Sequence, residues 1–163
     1  MFDHQPTPTG WRTLGDPAIF RQHKVAFLCS HRFPSTVLLK AHDWIRRQSL
    51  ENRCVMSGFQ SGIAADAWKI LLVGKSPMVR VLPRGMWHRV PREARQAVDN
   101  GQLLIVSPFR DDQTKTSAEL ASARNLAIMN HADEIVVAHA EPGGRLAADV
   151  ARYAGAVSIK GLG

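Results

Sequence analysis

Two Ser-Gly pairs stand close together in VMSGFQSGIAADAW, residues 55–68, where an apolar run gives way to a helical pattern. Glycine lets the backbone turn with positive φ and lets a ligand approach without meeting a Cβ, while a serine hydroxyl can donate to an anion. We therefore expect Gly58 and Gly62 to make room for a phosphate, with Ser57 and Ser61 beside it. The alternative is that each pair only caps the following helix.

Loops with polar residues also follow the other apolar runs of the chain. They read CSHRFPS (29–35), PRGMWHRVPREAR (83–95), SPFRDDQTKTS (107–117) and HAEPGGR (139–145). With residues 57–62 these loops predict one anion-binding edge, because they combine glycine turns with cations. The candidate phosphate-binding residues are Ser30, His31, Arg32, Ser57, Gly58, Gln60, Ser61, Gly62, Lys115, Arg124, Asn125, Gly143, Gly144 and Arg145.

Aromatic rings in these loops are candidates for stacking on bases. Trp87 lies in a loop rich in arginine, and Phe109 follows the fourth apolar run. Stacking of a base on such a ring contributes about 1–3 kcal/mol. Core packing is the alternative for each ring, and it is favoured for Phe59, which lies beside a predicted strand.

Short β-branched runs alternate with helical patterns from residue 24 onward. The runs predict strands at 25–29, 54–56, 78–82, 103–106, 134–138 and 156–159. Apolar residues recur every three or four positions in the intervening segments, and Pro34 and Pro91 suit first helical turns. The alternation predicts a single α/β domain over 24–163, a Rossmann-like, doubly wound and mostly parallel sheet of about six strands. Residues 1–23 lack periodicity and are interpreted as an N-terminal arm.

Composition and charge narrow the function classes. The 163 residues include 21 Lys and Arg against 14 Asp and Glu, a net charge of +7 that suits a polyanionic partner. Nucleic acid is the first candidate, and a basic domain without such a partner is the alternative. No apolar run is long enough to cross a bilayer, and the N-terminus lacks the pattern of a secretory signal. With only two cysteines, the sequence favours the cytoplasm.

Other chemistries have weaker support in the sequence. Seven histidines are present, but only Cys29 and His31 stand at a spacing that brings two metal ligands together, so we expect neither a metal site nor a cofactor. The chain lacks a Gly-x-Ser-x-Gly elbow, and its Gly74-Lys75-Ser76 lacks the earlier glycine of a phosphate-binding P-loop. The sequence therefore favours a binding protein over an enzyme.

The same loops carry a resemblance to a known family. VAFLCSHR, VMSGFQSGIAADAW, GKSPMVRVLPRGM and SARNLAIMNHADEIVVAHAEPGGRLAADVA occur in the order and spacing of the DNA-processing protein A (DprA or Smf) family. The resemblance extends over residues 24–160. That family's Gly-Ser-Arg, Ser-Gly-x-Ala-x-Gly-Ile-Asp, Arg-Asn-Arg and Ser-Gly-Ser-Leu motifs correspond here to residues 29–32, 57–64, 124–126 and 143–146. Ala64 stands at the Asp position, with Asp66 two residues on, and Leu126 replaces the second arginine.

The resemblance implies an extended Rossmann fold, binding of single-stranded DNA, loading of the RecA recombinase in natural transformation, and a homodimer. Two alternatives remain open. One is a sensor of a small nucleotide or nucleotide-sugar. The other is a phosphoribohydrolase that cleaves nucleoside monophosphates, because Pro142-Gly143-Gly144 resembles the Pro-Gly-Gly-x-Gly-Thr-x-x-Glu motif of a related family, although Val150 replaces its glutamate.

Overall fold

One sheet of seven strands organises the chain, and the computed structural model describes it over residues 5–162. The first four residues of the predicted arm and the last residue of the predicted domain lie outside the described part. The strands are β1 (Arg12–Leu14), β2 (Lys24–Cys29), β3 (Cys54–Ser57), β4 (Met78–Val81), β5 (Leu103–Ser107), β6 (Glu134–His139) and β7 (Ile159–Gly161). The helices are α1 (Ser35–Leu50), α2 (Gly62–Val73), α3 (Arg92–Asp99), α4 (Ala118–His131) and α5 (Arg145–Arg152), with a 3₁₀ helix at Pro17–Arg21.

The strand order is β1-β5-β4-β3-β2-β6-β7, and every neighbouring pair is parallel except β1 with β5. The chain moves outward from β2 through β3, β4 and β5, and then returns to the other side of β2 with β6. The two halves therefore diverge between β2 and β6, which is a topological switch point. The predicted Rossmann-like, doubly wound and mostly parallel α/β fold is confirmed.

Helices cover both faces of the sheet. On one face, α1, α2 and α3 pack over residues such as Val25, Phe27 and Val55. On the other, α4, α5 and the 3₁₀ helix pack over Ala26 and Val79. The central strands are buried on both faces, which explains why they appear in the sequence as continuous apolar runs.

The described part of the sheet has one strand more than the sequence predicted. Strand β1 lies in the segment interpreted as an arm and pairs antiparallel with β5, while Ile19 and Phe20 of the same segment are buried in the core. A three-residue edge strand is held by backbone hydrogen bonds, so it needs no alternating side-chain pattern that a sequence could reveal. The strand predicted at 156–159 is also displaced, because β7 begins only at Ile159.

The helix starts differ slightly from the predicted ones. Pro34 and Pro91 occupy the cap positions that precede α1 and α3, one residue before the first helical turn in which they were predicted. Both have an extended ψ, near 148° and 145° respectively. Extended backbone is the usual conformation of a cap residue, and the fixed φ of proline is compatible with it.

An ion network joins the amino ends of the central strands, opposite the edge where ligands bind in this fold. The Glu134 carboxylate contacts His23, Arg53 and Lys160. Partial burial raises the pKa of this carboxyl, but the hydrogen bond and charge of His23 and of Arg53 outweigh burial and hold it below 4.5. This network stabilises the fold and lies apart from the loops predicted to bind a ligand.

Candidate functional site

A cleft of about 380 Å³ opens at the carboxyl ends of β2, β3 and β6, directly at the switch point. This is the position at which open α/β sheets bind ligands, because loops and helix N-termini converge there. The structure brings most of the predicted residues together in its lining. They are Ser30, His31, Arg32, Ser57, Gly58, Gln60, Ser61, Arg124, Asn125, Gly144 and Arg145.

The loop between β3 and α2 forms one wall of the cleft. Phe59 has φ of +53° and Gly62 has φ of +56°, so the chain turns sharply twice within four residues. The Phe59 side chain is only 3% exposed and packs on Trp68 at 5.7 Å between ring centroids, which fixes the turn to the core. Its expected role in core packing is confirmed.

The two serines of this loop have different roles. The Ser57 hydroxyl is buried and accepts a hydrogen bond from the Phe59 amide at 3.3 Å, so it is used within the turn. Ser61 occupies the cap position of α2 but makes no side-chain cap hydrogen bond. The exposed Ser61 hydroxyl and the first amides of α2 are therefore available to a ligand.

Gly58 makes room for a cation of the protein itself. A Cβ built on Gly58 would lie 2.2 Å from Nη1 and 2.7 Å from Cζ of Arg124, so only glycine admits the guanidinium at this point. We expected Gly58 to make room for a phosphate; the Arg124 guanidinium lies in this space, and contact of Gly58 with a phosphate stays a prediction. At Gly62 a Cβ would meet the Phe33 ring at an ordinary 3.6 Å, so its positive φ, and not close approach, requires glycine.

Arg124 reaches this position from α4 and is held there by neutral groups. Its Nη1 donates to Gln60 Oε1 at 2.9 Å and its Nε donates to Asn125 Oδ1 at 3.0 Å. Asn125 in turn donates to the buried Asp149 carboxylate at 2.9 Å. Within residues 5–162 no carboxylate forms a direct ion pair with Arg124. The guanidinium thus has no directly paired countercharge, although the nearby Asp149 carboxylate favours its charged form.

The electrostatics of the cleft favour an anion. Burial, followed by repulsion from Arg80, lowers the pKa of Arg124 to about 10, although Asp149 opposes the change. The side chain remains a cation at neutral pH, because this pKa still lies well above 7. A negatively charged ligand would relieve the repulsion between the two guanidinium groups as well as pairing with Arg124.

The wall opposite Gly58 is built from the loops after β2 and β6. The Ser30 hydroxyl donates to the Arg32 and His139 carbonyls at 2.7 and 3.1 Å and accepts from the Glu141 amide at 3.0 Å. It therefore joins the two loops at the switch point. Gly144 then turns the chain into α5, where a Cβ would lie 3.0 Å from the Glu141 carbonyl oxygen.

Glu141 is an acidic residue in the otherwise basic lining. Its carboxylate oxygen Oε2 lies 3.1 Å from His139 Nε2, within hydrogen-bond distance. Glu119, the other carboxylate weighed as a catalytic group, is exposed in the first turn of α4 and does not line the cleft. Asp66 also lies elsewhere, because it pairs with His42 of α1 at 3.0 Å. It does not replace the aspartate that is absent at Ala64.

Some predicted residues lie outside the cleft lining. Lys115 is exposed in the loop after β5, and Gly143 and Gly62 flank the lining without forming part of it. Phe109 lines a separate cavity near Trp11. Trp87 is partly buried against the core, with its ring over the Arg80 guanidinium, and is not a freely exposed ring.

Arg80 is a residue that our reading of the sequence did not single out. Its guanidinium lies between two indoles, 4.8 Å from the Trp68 ring centroid and 5.1 Å from that of Trp87. Burial lowers its pKa to about 10, and its Nε has no hydrogen-bond partner among residues 5–162. The signal in the sequence was a cation inside the apolar run MVRVL, since a buried strand carries an arginine only where partners such as aromatic rings receive it.

Two other features, a metal-binding cluster and a membrane-spanning helix, are absent from the described part of the chain. Residues 5–162 contain no group of three or more side chains that could hold a metal ion. Over the same residues, every helix is too short or too polar to cross a lipid bilayer.

The doubly wound sheet with a cationic cleft at its switch point defines a Rossmann-like α/β protein suited to a phosphate-bearing ligand. The family model of DNA recombination-mediator protein A matches residues 4–156 of this chain. This match begins earlier than the resemblance found in the sequence, which starts at residue 24. The chain belongs to this family.

Solved structures share the fold. One is DNA processing protein A from Helicobacter pylori, whose structure is described with its single-stranded DNA binding mode. It is 17% identical to this chain with a TM-score of 0.71, and the match covers 88% of this chain and 66% of the Helicobacter pylori chain. DNA processing protein A from Streptococcus pneumoniae is 20% identical with a TM-score of 0.69, and the match covers 88% of this chain and 50% of that one. A molybdenum cofactor binding protein from Rippkaea orientalis is 16% identical with a TM-score of 0.52, and the match covers 80% of this chain and 69% of that one. No curated protein sequence matches significantly.

Proposed function

We propose that this protein binds single-stranded DNA through the cleft and acts in DNA processing and recombination. The observation that carries the proposal is the Arg124 guanidinium, held over Gly58 by neutral groups and without a carboxylate partner among residues 5–162. Membership of the recombination-mediator family and the description of the Helicobacter pylori relative as a single-stranded DNA binder support it.

The cleft offers two kinds of group to a phosphate. Arg32, Arg124 and Arg145 supply positive charge from three different elements. The first amides of α2 and α5 supply hydrogen-bond donors, since neither helix has a side-chain cap. These contacts neutralise phosphates without reading bases, so the affinity is expected to fall steeply with salt and to depend little on sequence.

The biological setting is proposed on the same basis. We infer loading of the RecA recombinase and a homodimer from the resemblance to the DprA family, and a cytoplasmic location from the sequence, which has two cysteines and no secretory-signal pattern. This chain spans 66% and 50% of the lengths of the two DNA processing proteins above.

The test is fluorescence anisotropy of a labelled dT oligonucleotide at several salt concentrations, with a duplex competitor. We expect a preference for the single strand. Replacing Arg32 and Arg124 by alanine should lower the slope of log affinity against log salt by about 1.4, or roughly 0.7 per lost phosphate contact. The matched control is Arg21→Ala with Arg47→Ala, two exposed cations at the amino ends of the strands. An unchanged slope for the Arg32 and Arg124 variant would contradict the proposal.

A small nucleotide or nucleotide-sugar is the second candidate ligand. The cleft volume of about 380 Å³ lies in the range of small-molecule sites, roughly 300–1,000 Å³, and this observation favours it. A rise in melting temperature with nucleotides, together with no binding of oligonucleotides, would support this candidate and exclude the first.

Hydrolysis of a nucleoside monophosphate has less support. It needs a carboxylate to stabilise the positive charge that develops on the ribose. Glu141 lines the cleft, but it is paired with His139, and Val150 occupies the position of the motif's glutamate. We therefore propose binding without turnover. Release of free base during prolonged incubation with nucleoside monophosphates would overturn this.

A further inference from the structure

A second group of cations lies beside the cleft, on residues 82–95, which we call the basic loop. It comprises the connection after β4 and the first turn of α3. His88, Arg89, Arg92 and Arg95 are all exposed. Over residues 5–162 none of the three arginines forms an ion pair with a carboxylate. We propose that the basic loop binds the phosphates of a single strand where it leaves the cleft, which rests on the function proposed above.

The basic loop is fixed to the edge of the sheet that carries the cleft. Arg80 lies opposite Ser57 in the register of β4 with β3, and Ser57 lines the cleft. The Trp87 ring of the basic loop stacks on the Arg80 guanidinium. A continuous set of contacts therefore runs from the cleft to the basic loop through a single strand pair.

Further contacts anchor the start of the basic loop to the connection after β5. The Ser107 hydroxyl donates to the Arg84 carbonyl at 2.6 Å, and the Gly85 amide donates to the Gln113 carbonyl at 2.8 Å. A Cβ on Gly85 would lie 2.5 Å from the Arg110 carbonyl oxygen, so the two connections touch. The cations that follow are thus presented from an ordered backbone, which reduces the entropy lost when they bind.

The dimensions suit a strand that continues past the cleft. Neighbouring strands of a sheet are about 4.8 Å apart, so loops after β4 and β5 lie roughly 5–10 Å from the loop after β3. Phosphates along one strand of nucleic acid follow one another at about 3.4 Å or more along the axis. Two or three nucleotides beyond the cleft therefore reach the basic loop. A small nucleotide confined to the cleft would not reach it.

The charge of the basic loop also has a physical consequence in the free protein. Cations without carboxylate partners repel one another and contribute to the net charge of +7. An extended polyanion relieves this repulsion along its length. The basic loop therefore predicts a dependence on ligand length that the cleft alone does not produce.

The test uses a double variant that carries both Arg89→Ala and Arg92→Ala. It is compared with the wild-type protein and with the double variant Arg21→Ala and Arg47→Ala as the control. Anisotropy is measured with a dT oligonucleotide of about 2 nucleotides, too short to extend from the cleft to the basic loop, and with one of about 16 nucleotides, the upper end of known single-strand site sizes. For the long oligonucleotide we expect the salt slope to fall by about 1.4, so that the affinity ratio between about 50 and 200 mM salt falls about sevenfold. For the short one, and for the control variant, we expect no change.

The outcomes separate this inference from the function on which it rests. The salt slope for the long oligonucleotide could be unchanged in the basic-loop variant and yet lowered by Arg124→Ala. This result would overturn the inference and leave the proposed function standing. Absence of any single-strand binding by the wild-type protein would overturn both. The charge-conserving pair Arg89→Lys with Arg92→Lys should restore the wild-type slope, and failure to do so would contradict a role in charge neutralisation.

Discussion

Replacing Gly58 by alanine tests the geometry of the cleft most directly. The backbone of Gly58 does not have a positive φ, so alanine is compatible with its conformation. The added methyl group, however, would lie 2.2 Å from Arg124 Nη1, well inside contact distance. Because the clashing atoms form the end of a long side chain, we expect the guanidinium to move away while the fold stays intact.

The effects of Gly58→Ala on stability and on binding have separate causes. Displacing Arg124 breaks its hydrogen bonds to Gln60 and Asn125. The two bonds together contribute roughly 1–3 kcal/mol, and Gly→Ala returns about 0.4–1 kcal/mol through the unfolded state, so the free energy of unfolding should fall by between about 0 and about 2.6 kcal/mol. Loss of a charged hydrogen bond to phosphate costs about 1.5–3 kcal/mol, or roughly 10- to 150-fold in affinity.

The assay is a double-mutant cycle in anisotropy, combining Gly58→Ala with Arg124→Ala. If the methyl group acts only by displacing the guanidinium, each single variant should lose the same affinity and the double variant should lose no more. Gly161→Ala is the matched control, because its Cβ would meet nothing closer than 4.0 Å. Full additivity, or wild-type affinity in Gly58→Ala, would refute the reasoning that the position of Arg124 over Gly58 matters for binding.

Three further predictions address the surroundings of the cleft and the fold. Trp87→Ala should release the basic loop from Arg80 and lower the salt slope for long oligonucleotides more than for short ones, as anisotropy would detect; equal loss for both lengths would contradict this. The pKa of Glu134 is lower in the folded than in the unfolded protein, so its contribution to stability is present above about pH 4.5 and is lost as pH falls through the folded value. Urea titrations between about pH 7 and pH 3 should therefore show a smaller acid loss for Glu134→Gln, and an identical loss would exclude this network as a cause. Burial raises the pKa of Cys29 to about 11 and that of Cys54 to about 12, so neither thiol should react with a disulfide reagent at neutral pH until the protein is unfolded; rapid labelling of the native protein would contradict this.

Much of the architecture was predictable because buried parallel strands leave a plain signal in the sequence. The runs beginning near Val25, Val55, Met78, Leu103 and Ile135 all form central strands. Once those strands are parallel, the loops after them must meet at one edge, so the location of the cleft follows from topology alone. This explains how residues separated by more than a hundred positions were correctly expected to lie together.

The details that set the chemistry of the cleft depend on contacts between distant side chains. The sequence pattern of Gly58 indicated space, but only the fold reveals that a guanidinium from α4 occupies it. Likewise, the Arg80 contact with two indoles joins β4 to α2 and to the basic loop, and no periodicity encodes such a meeting. Strand β1 was missed for a different reason, since backbone pairing at an edge needs no particular side chains.

The position of Arg80 between Trp68 and Trp87 gives the protein an intrinsic optical reporter. An indole next to a fixed positive charge emits at a wavelength and intensity that depend on that charge's distance. Of the other two tryptophans, Trp11 contacts Phe20 and His131, and Trp44 stacks on Phe27, so both sample different surroundings. Emission from the pair flanking Arg80 can thus follow movement of the basic loop during ligand binding without any attached dye.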